Sequence, residues 1–184
     1  MKENKENRVC PAEKAGEFDN RLRKLVQNPK RILGPYIQEG MTVLDLGCGP
    51  GFFTIEIARL LNNTGKVIAA DLQDEMLYIL QKKINGSSLL SVIELHKCQN
   101  ESIGVKENID FILAFYVVHE IPDHTRLFKE LKSILKPYGK ILIVEPSTHV
   151  SKTDFSSMIK IAETEGFKAV NAKKMFLSRA VILV

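Results

Sequence analysis

The chain has 184 residues, a length that suits one domain with a sizeable buried core. Apolar residues make up 45% of the sequence and charged residues 26%, a balance typical of globular proteins rather than disordered or fibrous ones. The net charge of +4 is mild, and basic residues are interleaved with acidic ones along the chain. This distribution is typical of a solvated surface rather than of a surface that binds nucleic acid.

Two further classes are disfavoured by the sequence. No apolar run approaches the roughly 20 residues of a membrane helix, and the polar first residues lack the apolar core of a signal peptide. We therefore expect a cytoplasmic protein that does not span a membrane. The three cysteines, Cys10, Cys48 and Cys98, are widely spaced, so neither a disulfide framework nor a structural metal site is indicated.

The first 40 residues predict a tail followed by short helices. Residues 1–16 are polar, and we expect them to be mobile. Apolar residues at helical spacing from Phe18 to Val26 predict one helix, and Asn28-Pro29 is a suitable cap and first-turn pair for a second. Because the rest of the chain has short loops, we expect residues 18–36 to cover the ligand-binding end of the domain formed by residues 41–184.

From residue 41 onward, short apolar runs alternate with amphipathic helical stretches. The helices are expected to begin just past Gly51, at a cap formed by Asp74, at a cap formed by Asp123, and before Phe155. Pro137-Tyr-Gly139 is expected to stop the third of these helices. Strands are predicted over residues 42–46, 66–71, 92–98, 109–117, 140–144, 167–170 and 179–184.

Strands that alternate with helices pair in parallel, since each parallel neighbour needs a helix-length connection packed on the sheet. The last two predicted strands have no helix between them, so they should pair antiparallel. We therefore predict an α/β fold with a doubly wound, mostly parallel sheet of seven strands, an antiparallel C-terminal hairpin, and helices on both faces.

A glycine-dense turn follows the first predicted strand. Gly47, Gly49 and Gly51 occupy alternate positions between that strand and the next helix, which is typical of a nucleotide site but also of an ordinary tight turn. The third glycine comes one residue too early for a dinucleotide fingerprint, because Phe52 occupies its place. Asp45 puts a negative charge before the turn, which favours a ligand with an ammonium group over one with phosphates.

Ligands of open α/β sheets bind beyond the carboxyl ends of the strands. Asp71 ends the second predicted strand, about 20 to 25 residues beyond the glycines, where an acid can accept hydrogen bonds from the two hydroxyls of a ribose. The alternative, a helix cap, is weakened because Asp74 can fill that position. Beyond the other strand ends lie Gln99, Asn100, Tyr116, His119 and Glu145.

Three motifs in order resemble the class I S-adenosylmethionine-dependent methyltransferases. They are Asp45-Leu-Gly-Cys-Gly-Pro-Gly51, Asp71 at the end of the second strand, and Phe115-Tyr-Val-Val-His-Glu-Ile-Pro-Asp123. The resemblance runs from about residue 40 to residue 184. It implies that the glycine loop, including Cys48, packs against the amino-acid part of S-adenosylmethionine and that Asp71 binds its ribose.

The same resemblance implies the remaining cofactor contacts. Leu72 would cover one face of the adenine, and backbone groups near Phe115 would meet the methionine ammonium. The family often has an aspartate where Gln99 stands, so Gln99 or Asn100 would hold the adenine edge through an amide instead.

The reaction implied by the resemblance is an in-line displacement at the methyl carbon, which depends mainly on positioning. Where the acceptor carries a proton, a general base must remove it, and His119 is the candidate. The alternative is that His119 has a structural role and only hydrogen-bonds the backbone of the loop before Pro122. Tyr116 is the second candidate catalytic residue, because its ring can favour a cationic sulfur. Glu145 can either face the acceptor or cap a neighbouring helix.

The sequence thus predicts a methyltransferase that acts on a small molecule. Two alternatives stay open: a non-catalytic cofactor-binding subunit of a methyltransferase complex, and a methyltransferase acting on RNA or protein with a partner. A nicotinamide dehydrogenase is a more distant candidate. Cys10 and Cys98 are compatible with a thiophilic acceptor only if two or three thiolates converge, which their spacing does not show.

Overall fold

The computed structural model describes residues 27–184, and the predicted tail and first helix lie outside this range. Within it, five α-helices and seven strands alternate along the chain. The helices are α1 Pro29–Leu33, α2 Thr54–Leu60, α3 Asp74–Ile84, α4 His124–Ile134 and α5 Lys152–Thr164. The strands are β1 Thr42–Leu46, β2 Lys66–Asp71, β3 Ile93–Lys97, β4 Ile109–Phe115, β5 Leu135–Pro146, β6 Ala169–Asn171 and β7 Ser178–Leu183.

The seven strands form one sheet in the order β3-β2-β1-β4-β5-β7-β6. The first five strands in this order are parallel, with Val43 of β1 facing Val67 on one side and Phe111 on the other. β7 runs antiparallel to both β5 and β6. The predicted fold class is therefore confirmed. The strand order reverses at β1 and β4, which is where open α/β sheets bind their ligands.

The sheet separates two apolar clusters. Alternate residues of a strand point to opposite faces, so Leu44 and Val43 lie in different clusters. Helices α4 and α5 cover one face through Phe128 and Met158, while α2 and α3 cover the other through Ile57 and Leu80. Burial on both faces explains why the central strands are continuous apolar runs.

Several predicted element ends differ from the structure. Gln73, rather than Asp74, occupies the N-cap of α3, and Asp74 instead pairs with Lys97 at 2.7 Å. Helix α4 ends at Ile134 because Leu135 is already extended and pairs with Ile109. The predicted stop, Pro137-Tyr-Gly139, therefore lies inside the long strand β5.

Two predicted caps are confirmed, and β4 is shorter than predicted. The Asn28 side chain accepts a hydrogen bond from the Arg31 N–H, and Asp123 accepts one from the Arg126 N–H. β4 ends at Phe115 because Tyr116 adopts a positive φ of 62°. Among the helices of residues 27–184, none combines the length and apolar character needed to cross a membrane.

Candidate functional site

A cleft opens at the carboxyl ends of β1 to β4. It is lined by every predicted site residue except Gly51 and His119. The lining residues among those predicted are Asp45, Gly47, Cys48, Gly49, Asp71, Leu72, Gln99, Asn100, Phe115 and Tyr116. The structure thus brings together residues from four strand ends, as parallel pairing requires.

The glycines of the first loop serve different purposes. A Cβ on Gly47 would lie 2.5 Å from Val117, and one on Gly51 would lie 2.4 Å from Leu80, so both glycines are required by packing. Both also have positive φ. A Cβ on Gly49 would meet nothing within 4 Å. Gly49 is therefore the glycine that leaves room in the cleft, whereas Gly51 packs against Leu80 of α3.

The first loop is fixed to β2 by its own backbone. The N–H groups of Gly47 and Cys48 donate to the Ala70 carbonyl at 2.8 and 3.0 Å. At its start, Asp45 is buried and accepts a hydrogen bond of 2.6 Å from the Thr54 hydroxyl. The Asp45 carboxylate is thereby held in place at the cleft wall.

Asp71 is the second buried carboxylate of the cleft. One oxygen accepts from the Gly49 N–H at 2.8 Å, and the other accepts from the Gln73 N–H at 2.9 Å. Burial raises the pKa of Asp71 above its ordinary value, although these backbone hydrogen bonds oppose the shift. Each carboxylate oxygen has two lone pairs, so Asp71 retains capacity to accept a further hydrogen bond.

Glu130 of α4 holds the loop after β3, which carries Gln99 and Asn100. Its carboxylate accepts from the Ser102 hydroxyl at 2.8 Å, the Ile103 N–H at 3.0 Å and the Gly104 N–H at 2.7 Å. Glu130 also lines the cleft. Sequence reasoning missed this residue, and the available signal was an acid at helical spacing between the buried Leu127 and Ile134.

The cleft is acidic, although the chain as a whole is basic. Its lining includes Arg126, which approaches the exposed Glu101 at 3.8 Å. The carboxylates of the lining are Asp45, Asp71, Glu101, Glu120, Asp123 and Glu130. This excess of negative charge favours a cationic ligand over a phosphorylated one.

A run of aromatic rings forms another wall of the cleft. The ring centroids are 5.0 Å apart for Phe52 and Phe53, 4.3 Å for Phe53 and Phe115, and 4.5 Å for Phe115 and Tyr116. The Tyr116 hydroxyl hydrogen-bonds the Ser178 hydroxyl at 2.6 Å and accepts from the Gln27 side-chain amide at 2.7 Å. Tyr116 is thus fixed at both its backbone and its hydroxyl.

His119 lies beside the cleft rather than in its lining. Its Nδ1 hydrogen-bonds the carboxylate of Glu145, which is fully buried at the end of β5. Burial lowers the pKa of His119, but the hydrogen bond and charge of Glu145 outweigh it, so that the pKa lies above its ordinary value. Glu145 also accepts from the Val118 N–H at 2.8 Å, which supports the capping role left open by the sequence. The imidazole of His149 lies near, with the two ring centroids 6.0 Å apart.

Cys48 and Cys98 are buried beside the same cleft. Burial raises the pKa of the Cys48 thiol well above its ordinary value and that of Cys98 to about 12. Both thiols are therefore protonated at neutral pH, which makes them weak nucleophiles and poor metal ligands. Cys10 lies outside the described residues. Between residues 27 and 184, no group of three or more His, Cys, Asp or Glu side chains is arranged to hold a metal ion.

Comparison with known proteins identifies the family. The methyltransferase domain family matches residues 37–176. A demethylmenaquinone methyltransferase of Lactobacillus johnsonii is 30% identical over 131 residues, which are 68% of this chain and 53% of that protein. A ubiquinone/menaquinone biosynthesis C-methyltransferase of Escherichia coli is 29% identical over 110 residues, 59% of this chain and 44% of that protein. The chain thus spans about half the length of the curated relatives it matches.

Solved structures agree with this assignment. An S-adenosylmethionine-dependent methyltransferase from Aquifex aeolicus superposes with a TM-score of 0.82 at 25% identity, covering 95% of this chain and 97% of that one. A TehB-like methyltransferase from Corynebacterium glutamicum shares the fold, with a TM-score of 0.74 at 16% identity over 94% and 98% of the two chains. These matches confirm the family that the sequence motifs predicted: the chain belongs to the class I S-adenosylmethionine-dependent methyltransferases.

Proposed function

We propose that this protein transfers a methyl group from S-adenosylmethionine to a small-molecule acceptor. The observation that carries the proposal is the pairing of Asp71 with Gly49 in a cleft also bordered by Asp45. A carboxylate with remaining acceptor capacity stands beside a glycine whose missing side chain leaves open space. These features fit the ribose hydroxyls and the close approach of a nucleoside.

The other cleft residues have complementary roles in this proposal. Leu72 covers one face of the adenine. The side-chain amide of Gln99 or Asn100 hydrogen-bonds the edge of the adenine, and Glu130 holds the loop that carries both residues. Asp45 and the backbone near Phe115 face the methionine part, where Asp45 attracts its ammonium group. Cys48 lines the same loop with a small thiol.

The charge of the cleft supports this choice of ligand and acceptor. S-adenosylmethionine carries a sulfonium and an ammonium group, which the surrounding carboxylates attract. The same carboxylates repel the phosphates of a dinucleotide or a nucleic acid. The acidic cleft therefore favours a small-molecule acceptor over RNA, and S-adenosylmethionine over a nicotinamide cofactor.

Bound S-adenosylmethionine supplies the methyl group, whose bond to sulfur breaks as the acceptor atom bonds to the methyl carbon. The chain orients the two reactants in line and excludes water with the aromatic wall. We assign His119 as the general base for acceptors that carry a proton. Glu145 binds Nδ1 of His119, so that Nε2 is the atom that takes the proton. Tyr116 contributes its ring to the cleft lining.

The curated relatives favour one class of acceptor within this proposal. One is named as a methyltransferase of demethylmenaquinone and the other as a C-methyltransferase of ubiquinone/menaquinone biosynthesis. An aromatic ring with a hydroxyl group fits His119, because removal of the hydroxyl proton makes the ring carbon more nucleophilic. The finer assignment to a quinol-like acceptor is supported by these relatives at about 30% identity.

We also propose that residues 1–40 act as a tail and lid over the acceptor. The Gln27 amide bonds the hydroxyl of Tyr116, so the chain that precedes α1 reaches the cleft at this point. This contact of Gln27 with a residue of the cleft lining is the observation that supports the lid.

Calorimetric titration with S-adenosylmethionine and with its demethylated product S-adenosylhomocysteine tests the proposal first. Incubation with methyl-labelled cofactor and a pooled metabolite extract then tests transfer. Binding followed by a labelled small molecule supports the proposal. Failure to bind either compound rejects it, while binding without any labelled product favours a non-catalytic subunit. Label in the RNA or protein fraction alone favours a macromolecular acceptor.

A further inference from the structure

The loop between β6 and β7 presents two consecutive large apolar side chains to solvent. Phe176 is 66% exposed and Leu177 is 60% exposed. We call residues 175–177 the apolar tip. Exposed apolar side chains that lie together indicate a binding surface more often than isolated ones do. We therefore consider which ligand the apolar tip binds.

The apolar tip is held in one conformation. The Leu177 carbonyl accepts hydrogen bonds from both the N–H and the hydroxyl of Ser147, at 2.9 and 2.8 Å. The Phe176 carbonyl accepts one from the Ser178 hydroxyl at 3.0 Å. Leu177 has a positive φ of 48°, a conformation that is costly for a bulky residue. A strained backbone that is fixed by side chains from outside the loop is typical of a functional surface.

The position of the apolar tip connects it to the cleft. Ser178 pairs with Pro146 at the end of β5, so the tip stands at the same edge of the sheet as the cleft. The hydroxyl of Ser178 bonds that of Tyr116 at 2.6 Å, and the ring of Tyr116 lines the cleft. The side chains of Tyr116 and Ser178 thus connect the cleft to the apolar tip.

The charge around the apolar tip is opposite to that of the cleft. The exposed Lys173 and Lys174 immediately precede it in the loop. The cleft beyond Tyr116 is lined by carboxylates such as Asp45 and Glu120. A ligand on the tip therefore meets apolar surface and positive charge together, which suits an aromatic anion.

We propose that the apolar tip, with Lys173 and Lys174, is the surface that binds the body of the methyl acceptor. The acceptor is an aromatic molecule with an anionic group, such as a phenolate or a carboxylate. Its ring rests on Phe176 and Leu177, and the atom to be methylated points past Tyr116 into the cleft. This inference rests on the proposed function and deepens it by naming the surface that holds the acceptor and the charge that the acceptor carries.

The test uses the full chain saturated with S-adenosylhomocysteine and the aromatic anion 1-anilinonaphthalene-8-sulfonate, whose fluorescence reports binding. We expect the double variant Phe176→Ser/Leu177→Ser to weaken probe affinity by at least about tenfold, and Lys173→Glu/Lys174→Glu to weaken it several-fold. Leu90→Ser is the matched control, because Leu90 is also exposed, at 48%, but precedes β3 at the opposite edge of the sheet. It should leave probe affinity unchanged.

Two results would overturn the inference. One is equal probe affinity in the wild type and in Phe176→Ser/Leu177→Ser. The other is a wild type that is dimeric in sedimentation and becomes monomeric in this variant, which would assign the tip to a contact between copies. Calorimetry with S-adenosylhomocysteine keeps the two proposals separate. A chain that does not bind it loses the proposed function, while the probe titration of the same chain still decides the role of the tip.

Discussion

The carboxylate of Asp71 accepts a hydrogen bond of 2.8 Å from the backbone N–H of Gly49. This contact joins the loop after β2 to the glycine loop after β1. The same carboxylate holds the Gln73 N–H with its other oxygen. Asp71 therefore holds in place the two loops between which a nucleoside would lie. The same residue is proposed to bind the ribose.

Replacing Asp71 by asparagine should weaken S-adenosylhomocysteine binding by about 10- to 100-fold. Hydrogen bonds to a charged group contribute about 1.5–3 kcal/mol, and a factor of ten in affinity corresponds to about 1.4 kcal/mol. Calorimetry measures the change. The matched control is Asp74→Asn. Asp74 lies three residues beyond Asp71, and its exposed carboxylate pairs with Lys97. Equal losses in the two variants would remove Asp71 from the proposed ribose site.

Acidification should weaken cofactor binding at a higher pH than an ordinary aspartate would. Burial raises the pKa of Asp71, so its carboxylate takes up a proton before one with the usual pKa of about 3.9 does. The protonated form accepts fewer hydrogen bonds from hydroxyl groups. As pH is lowered from neutral, affinity should therefore begin to fall at a higher pH in the wild type than in Asp71→Asn, whose other cleft carboxylates still titrate, provided that circular dichroism shows both proteins folded. A parallel fall in both would contradict this prediction.

Removal of the Glu130 side chain should weaken cofactor binding without changing turnover at saturation. Glu130→Ala deletes three hydrogen bonds to residues 102–104, so the loop that carries Gln99 loses its anchor. We expect about a tenfold rise in KM for S-adenosylmethionine, an unchanged kcat, and faster amide exchange at Gly104. Glu163→Ala, on the exposed side of α5, is the control. A fall in kcat with unchanged KM would argue against a positioning role.

The pair formed by His119 and Glu145 should make stability depend on pH. The folded pKa of His119 lies above its unfolded value of about 6.5, so the pair stabilises the fold fully below that value and less as pH rises through the folded pKa. Urea unfolding at a series of pH values should show this loss in the wild type. Glu145→Gln should flatten the dependence, whereas His149→Gln, which changes the neighbouring exposed ring, should keep it. An unaltered slope in Glu145→Gln would show that another group causes the dependence.

The N-terminal residues should be required for methyl transfer. Deleting residues 1–26 should lower the yield of labelled product by at least about tenfold, because closure over the acceptor excludes water and orients the reactants. Gln27→Ala provides a milder variant that removes only the amide bonded to Tyr116. If cofactor affinity and turnover are unchanged in the deletion, residues 1–26 are not a lid.

The sequence predicted those features that depend on local pattern. Apolar runs located the strands, and parallel pairing then implied that Asp71 and the glycine loop would meet at one edge. The acid after β2 could be assigned because its position follows from strand length and direction.

Features that depend on contacts between distant residues were not predicted. Glu130 and Gly104 are 26 positions apart, and the local sequence of neither segment indicates their hydrogen bond. The Glu145 contact with His119 likewise arises only when β4 and β5 lie side by side. The packing of Gly51 against Leu80, which leaves no space for a Cβ, likewise depends on a helix that follows later in the chain.

Calorimetric titration of the full chain with S-adenosylmethionine, followed by transfer of its labelled methyl group to a pooled metabolite extract, tests the central proposal most directly. We predict saturable binding in the wild type, loss of at least about tenfold in affinity in Asp71→Asn, and label in a small aromatic molecule. A wild type that binds neither S-adenosylmethionine nor S-adenosylhomocysteine would contradict the proposal, as would equal binding by Asp71→Asn.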